Sequence, residues 1–468
     1  MQRARPTTLL RIERMAPEGQ ALGRAAASGQ SGKVVFVPYG APGDVLEAEL
    51  TAQKEGYASG RLVRVQEPGP GRVQAPCPYH FQPGSPGAWC GGCDWQQLSA
   101  PAQLEAKRSL IQDCLKRIAR LPDAPVAPVI ASPELWRYRN KVQVPFGVKD
   151  GRVAAGFYAP GSHEIVDFAD CLVQPELSVR IVLKVKALAA EWRWPVYDER
   201  LNRGWLRHLL VRTSKDGKAH ATLVTRTPEF RQEGRFIAAL REAFPTLAGL
   251  FQNVQPLKSS VVLGPGWRKL WGSPMLEERV GRLRLSSSPG AFLQVNTPAS
   301  EKLYEAVSRQ LQEGGFTPEL LADLYCGVGS IALWVAAAAR RVVGVEESRD
   351  AVSDAWFNAR ANGVTNARFL AGRAEALLGR LRTELDRAAP GSSAAVLDPP
   401  RTGAAPPVLR ALEAPAIRRV IYVSCNPATF ARDAVSLSRS GFSLMDVQPV
   451  DLFPQTSHIE LSARFDRK

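Results

Sequence analysis

Between residues 320 and 423 the chain alternates short apolar runs with helix-length segments, and this alternation narrows its possible architectures to one class. Apolar runs at 320–325, 341–346, 367–371, 394–397 and 420–423 predict strands, and the stretches 331–339 and 349–362 predict helices between the first three. Strands separated by helical crossovers pair in parallel and are covered on both faces. The series predicts an α/β, doubly wound, Rossmann-like sheet whose chemistry lies at the carboxyl edge of its strands.

Two sites on that edge carry reactive residues. The turn 326–330 follows the first strand with Gly327 and Gly329, and Glu346 ends the second strand 23 residues after Asp323. Glycines allow close backbone approach to a ligand, and an acid at that spacing can accept from a ribose. Such a turn suits a nicotinamide, a flavin or S-adenosylmethionine, and it also serves as a plain strand-to-helix connection. Further on, Ser424-Cys425-Asn426-Pro427 closes the last strand, and Asp398 opens the run DPPRTG at 398–403. A free thiol is only ~3% thiolate at pH 7. Pro427 favours the first turn of a helix, so Cys425 is expected at a helix N-terminus that lowers its pKa. The alternative is a small buried hydrophobe.

DLYCGVGS, LDPPRTG, SCNP and HIE at 458–460, preceded by FLQVN at 292–296, occur in the order and spacing of the S-adenosylmethionine-dependent RNA uracil-C5 methyltransferases, which the chain resembles. The resemblance implies that Cys425 adds to C6 of uracil and that Glu460 is the base that removes the C5 proton. It also implies cofactor contacts from Gln294, Tyr325, Ser330 and Glu346, with Asp398 beside the target base or cofactor. Tyr325 stands where the family often has Phe, and Ser330 where it often has Asn. Covalent addition activates a carbon that is otherwise a poor nucleophile.

Residues 7 to about 66 carry alternating runs at 9–14, 33–38, 44–52 and 60–66, broken by Gly and Pro, which predict a small β-barrel. The run 35–50, VFVPYGAPGDVLEAEL, resembles the TRAM RNA-binding barrel, which is OB-like and all-β. Three domains are expected: this barrel at 1–68, a central mixed, β-rich domain at 69–285, and the methyltransferase domain at 286–468. In the central domain, Trp136 to Lys141 interleaves aromatics with cations, a composition suited to RNA contact. The helix expected at 99–120, which can pack on the methyltransferase domain, carries Lys107, Arg108, Lys116 and Arg117 as a solvated face.

Cys77, Cys90, Cys93 and Cys171 form the remaining cluster, with Cys90 and Cys93 two residues apart across Gly-Gly. Without a secretory signal, metal is the natural reading for such thiols. Four thiolates suit tetrahedral zinc or an iron–sulfur cluster, and His80 can replace one thiolate at zinc. The family resemblance implies [4Fe-4S], although the first gap, 77 to 90, is longer than the family commonly shows. Cys114 and Cys326 are expected to be structural.

The chain has 60 Lys and Arg against 45 acids, a formal +15, with a pI near 9.7. That balance favours a polyanionic partner. No apolar run of membrane-spanning length occurs and the first residues lack a signal-peptide core, so a cytoplasmic protein without membrane contact, and a monomer, is expected. The resemblance implies structured RNA as substrate, 23S ribosomal RNA first and the transfer-RNA T-loop second. Other classes are a noncatalytic RNA-binding assembly factor and an NAD-linked oxidoreductase with a metal site.

Overall fold

A computed structural model describes residues 7–25, 33–85 and 87–468. Residues 1–6 and 26–32 of the expected first domain lie outside the described residues. The N-terminal strands β1 (Thr7–Met15), β2 (Gln20–Ala25), β3 (Val34–Pro38), β4 (Val45–Gln53) and β5 (Tyr57–Glu67) close into a barrel in the order β1-β2-β3-β5-β4. Period-2 alternation turns Leu10, Ile12, Val35, Val37, Leu46 and Ala48 inward. Four of these strands match apolar runs in the sequence. The fifth, β2, escaped because QALGRA has little β-propensity; its Gly23 lies where a Cβ would stand 2.8 Å from the Arg11 carbonyl oxygen.

From the barrel the chain passes through 68–98, largely without regular structure, to helix α1 (Ala100–Cys114), which a short π-helical turn at Leu115–Ala119 extends. The buried Asp44 ties this passage to the barrel, accepting from Ala41 N, Gly69 N and the Arg72 guanidinium. A seven-stranded sheet follows, ordered β12-β11-β10-β9-β6-β7-β8. Its strands are β6 (Lys141–Lys149), β7 (Arg152–Tyr158), β8 (Ile165–Asp167), β9 (Leu206–Thr213), β10 (Ala219–Thr225), β11 (Leu247–Val254) and β12 (Gly266–Gly272), with helices α2 (Glu176–Glu191) and α3 (Glu233–Ala243). Val179, Val182, Val185, Phe236 and Leu240 of these helices share one core with Val144, Leu209 and Val211 of the sheet.

A hairpin, β13 (Leu276–Val280) with β14 (Leu283–Ser287), and helix α4 (Thr297–Gln312) lead into the C-terminal sheet. That sheet holds β15 (Leu320–Leu324), β16 (Arg341–Glu346), β17 (Ala367–Ala371), β18 (Ser393–Leu397), β19 (Ile417–Ser424), β20 (Phe442–Val450) and β21 (Glu460–Arg467). The order is β17-β16-β15-β18-β19-β21-β20. The five expected strands pair in parallel, and β21 inserts antiparallel between β19 and β20. Helices α5 (Ser330–Val335), α6 (Arg349–Ala361), α7 (Ala374–Leu385), α8 (Pro406–Ala411) and α9 (Pro427–Arg439) make the crossovers. Strand order reverses between β15 and β18, which opens a crevice at their carboxyl ends. Among the described residues no helix is long and apolar enough to cross a membrane.

Helix α1 departs from the sequence reading. Lys107, expected on a solvated face, is fully buried and donates to Asp451 Oδ1 at 2.6 Å and to the Phe453 carbonyl at 3.0 Å. The charge pattern gave no hint because the partner lies far along the chain. Lys116 and Arg117 are exposed as expected. The segment after α1 then lies along β20, with Ala127 N donating to Val447 O and Asp451 N to Ile130 O, which covers an edge strand that would otherwise invite pairing. Removing one partner of a buried ion pair leaves the other uncompensated, so Lys107→Ala should lower stability by about 3–5 kcal/mol in urea unfolding. Lys107→Met combined with Asp451→Asn should recover a large part of that loss.

Candidate active site

The carboxyl edge of the C-terminal sheet gathers the residues the sequence singled out. Tyr325 follows β15, Glu346 ends β16, Asp398 follows β18 and Cys425 follows β19. Because β21 runs the other way, its first residue, Glu460, lies at the same edge; Leu461 pairs with Ser424. Gln294, Tyr325, Glu346, Asp398, Cys425 and Glu460 all line one cleft of about 1050 Å³. Ser330 lines a recess of about 40 Å³ that shares Gln294, Tyr325 and Asp398 with it.

Local sequence fixes each of these residues. Asn426 caps α9, its side-chain oxygen accepting from Ala428 N and Thr429 N, with Pro427 in the first turn as expected. The Arg401 carbonyl accepts from Asn426 Nδ2 at 3.1 Å and Thr429 Oγ1 at 3.2 Å, and Asp433 accepts from Ala404 N and the Tyr422 hydroxyl. The DPPRTG loop is therefore bolted to the helix that follows Cys425. Gly403 permits this approach, since a Cβ there would collide with the ends of Arg432 and Asp433. In the glycine turn Tyr325 has φ +70, a strained value for a non-glycine residue and one that recurs at functional sites. Gly344 of β16 leaves the space that Phe369 and the buried Cys326 sulfur occupy.

Burial and like charge dominate the electrostatics. Glu460 is 2% exposed and faces Asp398, so its carboxyl is held well above the usual range, and burial raises Asp398 as well. The Cys425 thiol is pushed up to about 11 by burial and then by the Glu460 and Asp398 charges, while Arg401 pulls the other way. This corrects the expectation of a thiol lowered by the helix N-terminus. The helix is present, but its first N–H groups are occupied by Asn426, and two acids face the sulfur.

The residues around the recess fit a cationic, ribose-bearing ligand. Asp323 is fully buried and lines the recess, with only the Ala332 N–H near it and neither carboxylate oxygen in a well-formed hydrogen bond. Burial and the neighbouring Asp398 and Glu346 raise its pKa, a state that a bound cation relieves. Glu346 is set by Gly327 N and Ser348 N, one to each oxygen, at 3.1 and 2.8 Å, and keeps lone pairs toward the cleft. Ser330 hydrogen-bonds the buried Tyr304 hydroxyl. Asp323 was missed as a site residue because, from sequence alone, it reads as the tail of an apolar strand. Arg401 was missed inside a motif noted for its acid.

The four clustered cysteines line a second cavity, of about 350 Å³, together with His80, Arg139, Lys141 and His458. N–H groups point at the sulfurs: Tyr79 and His80 at Cys77, Gly92 at Cys90, Val173 and Gln174 at Cys171, with the Gln96 side chain at Cys93. Burial raises every one of these thiols, Cys90 to about 12. Among the described residues no three His, Cys, Asp or Glu side chains converge closely enough to hold a single metal ion. The stretch 136–141 beside this cavity is tied into the fold at three residues. Tyr138 is buried and donates to the Pro454 carbonyl, Arg137 pairs with Asp170, and Asn140 donates to Gln294 O.

A family model described as tRNA (Uracil-5-)-methyltransferase matches residues 280–468, and a TRAM domain model matches residues 5–63. An RNA methyltransferase of Halalkalibacterium halodurans is 39% identical over 439 residues, 93% of each chain. One of Gloeobacter violaceus is 36% identical over 464 residues, 98% of this chain and 96% of that one. The crystal structure of Pyrococcus abyssi tRNA (uracil-54, C5)-methyltransferase with S-adenosyl-L-homocysteine superimposes with a TM-score of 0.72 at 24% identity, over 97% of this chain and 99% of that chain. With its barrel, its sheet and its full-length relatives, the chain belongs to the S-adenosylmethionine-dependent, TRAM-containing family of RNA uracil-C5 methyltransferases.

Proposed function

We propose that this protein methylates C5 of a uridine in structured RNA through a transient bond between Cys425 and C6. The observation that carries the reading is the meeting of Cys425, Asp398 and Glu460 in one cleft beside the acid-lined recess. Cys425 loses its proton to solvent, the thiolate bonds to C6, and the C5–C6 double-bond pair moves toward C5 and O4. S-adenosylmethionine, when bound, supplies the electrophilic methyl that C5 accepts. Glu460 then takes the C5 proton, the C–H pair restores the double bond, and the C6–S pair leaves with Cys425. Asp398, raised by burial, can donate a hydrogen bond to the base. Gln294, Tyr325, Ser330 and Glu346 hold the cofactor, with Asp323 added to that set.

Cys425→Ala should abolish methylation while leaving RNA affinity unchanged. Glu460→Gln should accumulate a methylated protein–RNA adduct, visible as a band resistant to denaturation. A thiol near 11 sets the sign of the pH response: the thiolate fraction grows as pH rises, so adduct formation should quicken from pH 6 to pH 9. Wild-type turnover in Cys425→Ala would remove the nucleophile, and a wild-type protein that neither methylates RNA nor forms an adduct would favour the noncatalytic assembly-factor reading.

The substrate of first choice is 23S ribosomal RNA, supported by the combination of a TRAM barrel with a four-cysteine cavity. A second reading, a transfer-RNA uridine, is favoured by the likeness to the Pyrococcus abyssi transfer-RNA enzyme. Mapping 5-methyluridine in total RNA from cells lacking the gene separates them: a missing mark in the large ribosomal subunit supports the first, and loss confined to transfer RNA supports the second.

For the cysteine cavity the occupant we favour is [4Fe-4S], held by Cys77, Cys90, Cys93 and Cys171. N–H groups aimed at sulfur stabilise ligating thiolates, and sulfurs disposed around a volume suit a cluster better than one zinc ion, which needs four ligands within about 2.3 Å. His80 keeps Nε2 unpartnered and is the alternative zinc ligand. Anaerobically purified protein should contain about four irons per chain and be brown. Zinc without iron on elemental analysis would reverse the assignment.

A further inference from the structure

The segment 451–459 joins β20 to β21 and ends on Glu460, yet it contains neither helix nor strand. Apart from short-range bonds such as Thr456 N to the Phe453 carbonyl and His458 N to Thr456 Oγ1, it is held from outside. Lys107 binds Asp451 and the Phe453 carbonyl, and Gln103 and Gln455 bind each other reciprocally at 3.1 and 2.8 Å. Trp95 N donates to the Gln455 carbonyl at 3.0 Å, and Gln455 itself has φ +69. Nearest to the acid, Ser457 N donates to Asp94 Oδ1 at 2.8 Å. Asp94 directly follows Cys93. His458, one residue on, lines the cysteine cavity while its Nδ1 lies 3.5 Å from the Arg401 guanidinium on the wall of the catalytic cleft.

We infer that Asp94 is a positioning residue for Glu460, so that the Cys-Gly-Gly-Cys turn and the proton-abstracting carboxylate form one mechanical unit. This rests on the reading of Glu460 as the base. Glu460 itself, the first residue of β21, is paired with Val450 and flanked by the buried Ile459 and Leu461. The segment leading into it, however, has no ladder of backbone bonds and opens at low cost, so the entry to Glu460 depends on its tethers. Lys107 and Gln103 hold the start and middle of the segment, and the Asp94 contact holds the end next to Glu460. It is also an acceptor carboxylate meeting an N–H, the stronger kind of hydrogen bond. Cys425 depends on none of this, because β19 and the cap of α9 place it. Loosening Asp94 therefore slows the one step in which Glu460 takes the C5 proton and the C6–S pair departs with Cys425. Addition of the sulfur to C6 is left as it was.

The test uses the full-length protein with unmodified total RNA from cells lacking the gene, and with a 5-fluorouridine transcript of the modified region. Fluorine at C5 cannot leave as a proton, so adduct formed on that transcript reports addition and methylation alone. Asp94→Ala should lower turnover about 10- to 100-fold, the scale of an ångström-sized displacement. It should accumulate methylated adduct on ordinary RNA as Glu460→Gln does, and form the fluorouridine adduct at the wild-type rate. Asp94→Asn, whose side-chain carbonyl still accepts from Ser457 N, should restore turnover. Normal turnover in Asp94→Ala, or equal slowing of adduct formation and turnover, would overturn the inference. If Glu460→Gln itself gathers no adduct, the assignment of the base fails; if it does and Asp94→Ala does not, only the tether fails. Should Asp94→Ala prove unfolded by its thermal melt, Asp94→Glu keeps the charge, displaces the oxygen by one methylene and carries the same expectations.

Discussion

The reversal of β21 against β19 brings an acid to a sheet edge that parallel strands alone would fill with turn residues. Strand β19 delivers Cys425 at its carboxyl end, and only a neighbour running the other way can present its own first residue there. The register does this through the pairing of Ser424 with Leu461 and of Val450 with Glu460. A slip of one residue would turn Glu460 to the opposite face of the sheet. The register is held by Leu461, Ala463 and Phe465, which alternate into the core on one face of β21, and by the ion pair between Arg419 and Asp466.

How much of this could be read from the sequence depends on how local each determinant is. The five parallel strands were legible because a doubly covered strand is apolar along its whole length, and Ala322 or Val345 declares its burial without help from distant residues. The caps were legible too, since Pro427 and the glycines act within one turn. Strands β20 and β21 were not: FSLMDVQPV and ELSARFDR mix charge with apolar residues, because one face meets the core and the other meets Arg309, Gln310 or solvent. Lys107 shows the same limit. Its neighbours on α1 suggest a solvated face, and its burial follows from Asp451, which sequence proximity cannot reveal. The Cys425 thiol was misread for a related reason. The helix start that should lower its pKa is local, whereas the burial that mainly raises it, and then the acids from β18 and β21, come from distant parts of the chain.

Charge divides the molecule by function. The chain carries a formal +15, yet the cleft and its recess are lined by Asp323, Glu346, Asp398 and Glu460 alongside the exposed Arg373, Arg401, Arg410 and Arg432. Two like charges 4 Å apart at an effective dielectric of 20 repel by about 4 kcal/mol, so a phosphate does not follow a base into such a pocket. On the reading proposed for this site a neutral uracil does, and a sulfonium is drawn in. The net positive charge favours phosphate contacts, and on the same reading these offset the few kcal/mol that extruding a base from its stack costs. The same division explains why the acids are left in poor surroundings. Asp323, poorly hydrogen-bonded, and Glu460 beside Asp398 are both costly to ionise in the free protein, and on the reading proposed for this site a bound cation relieves the first.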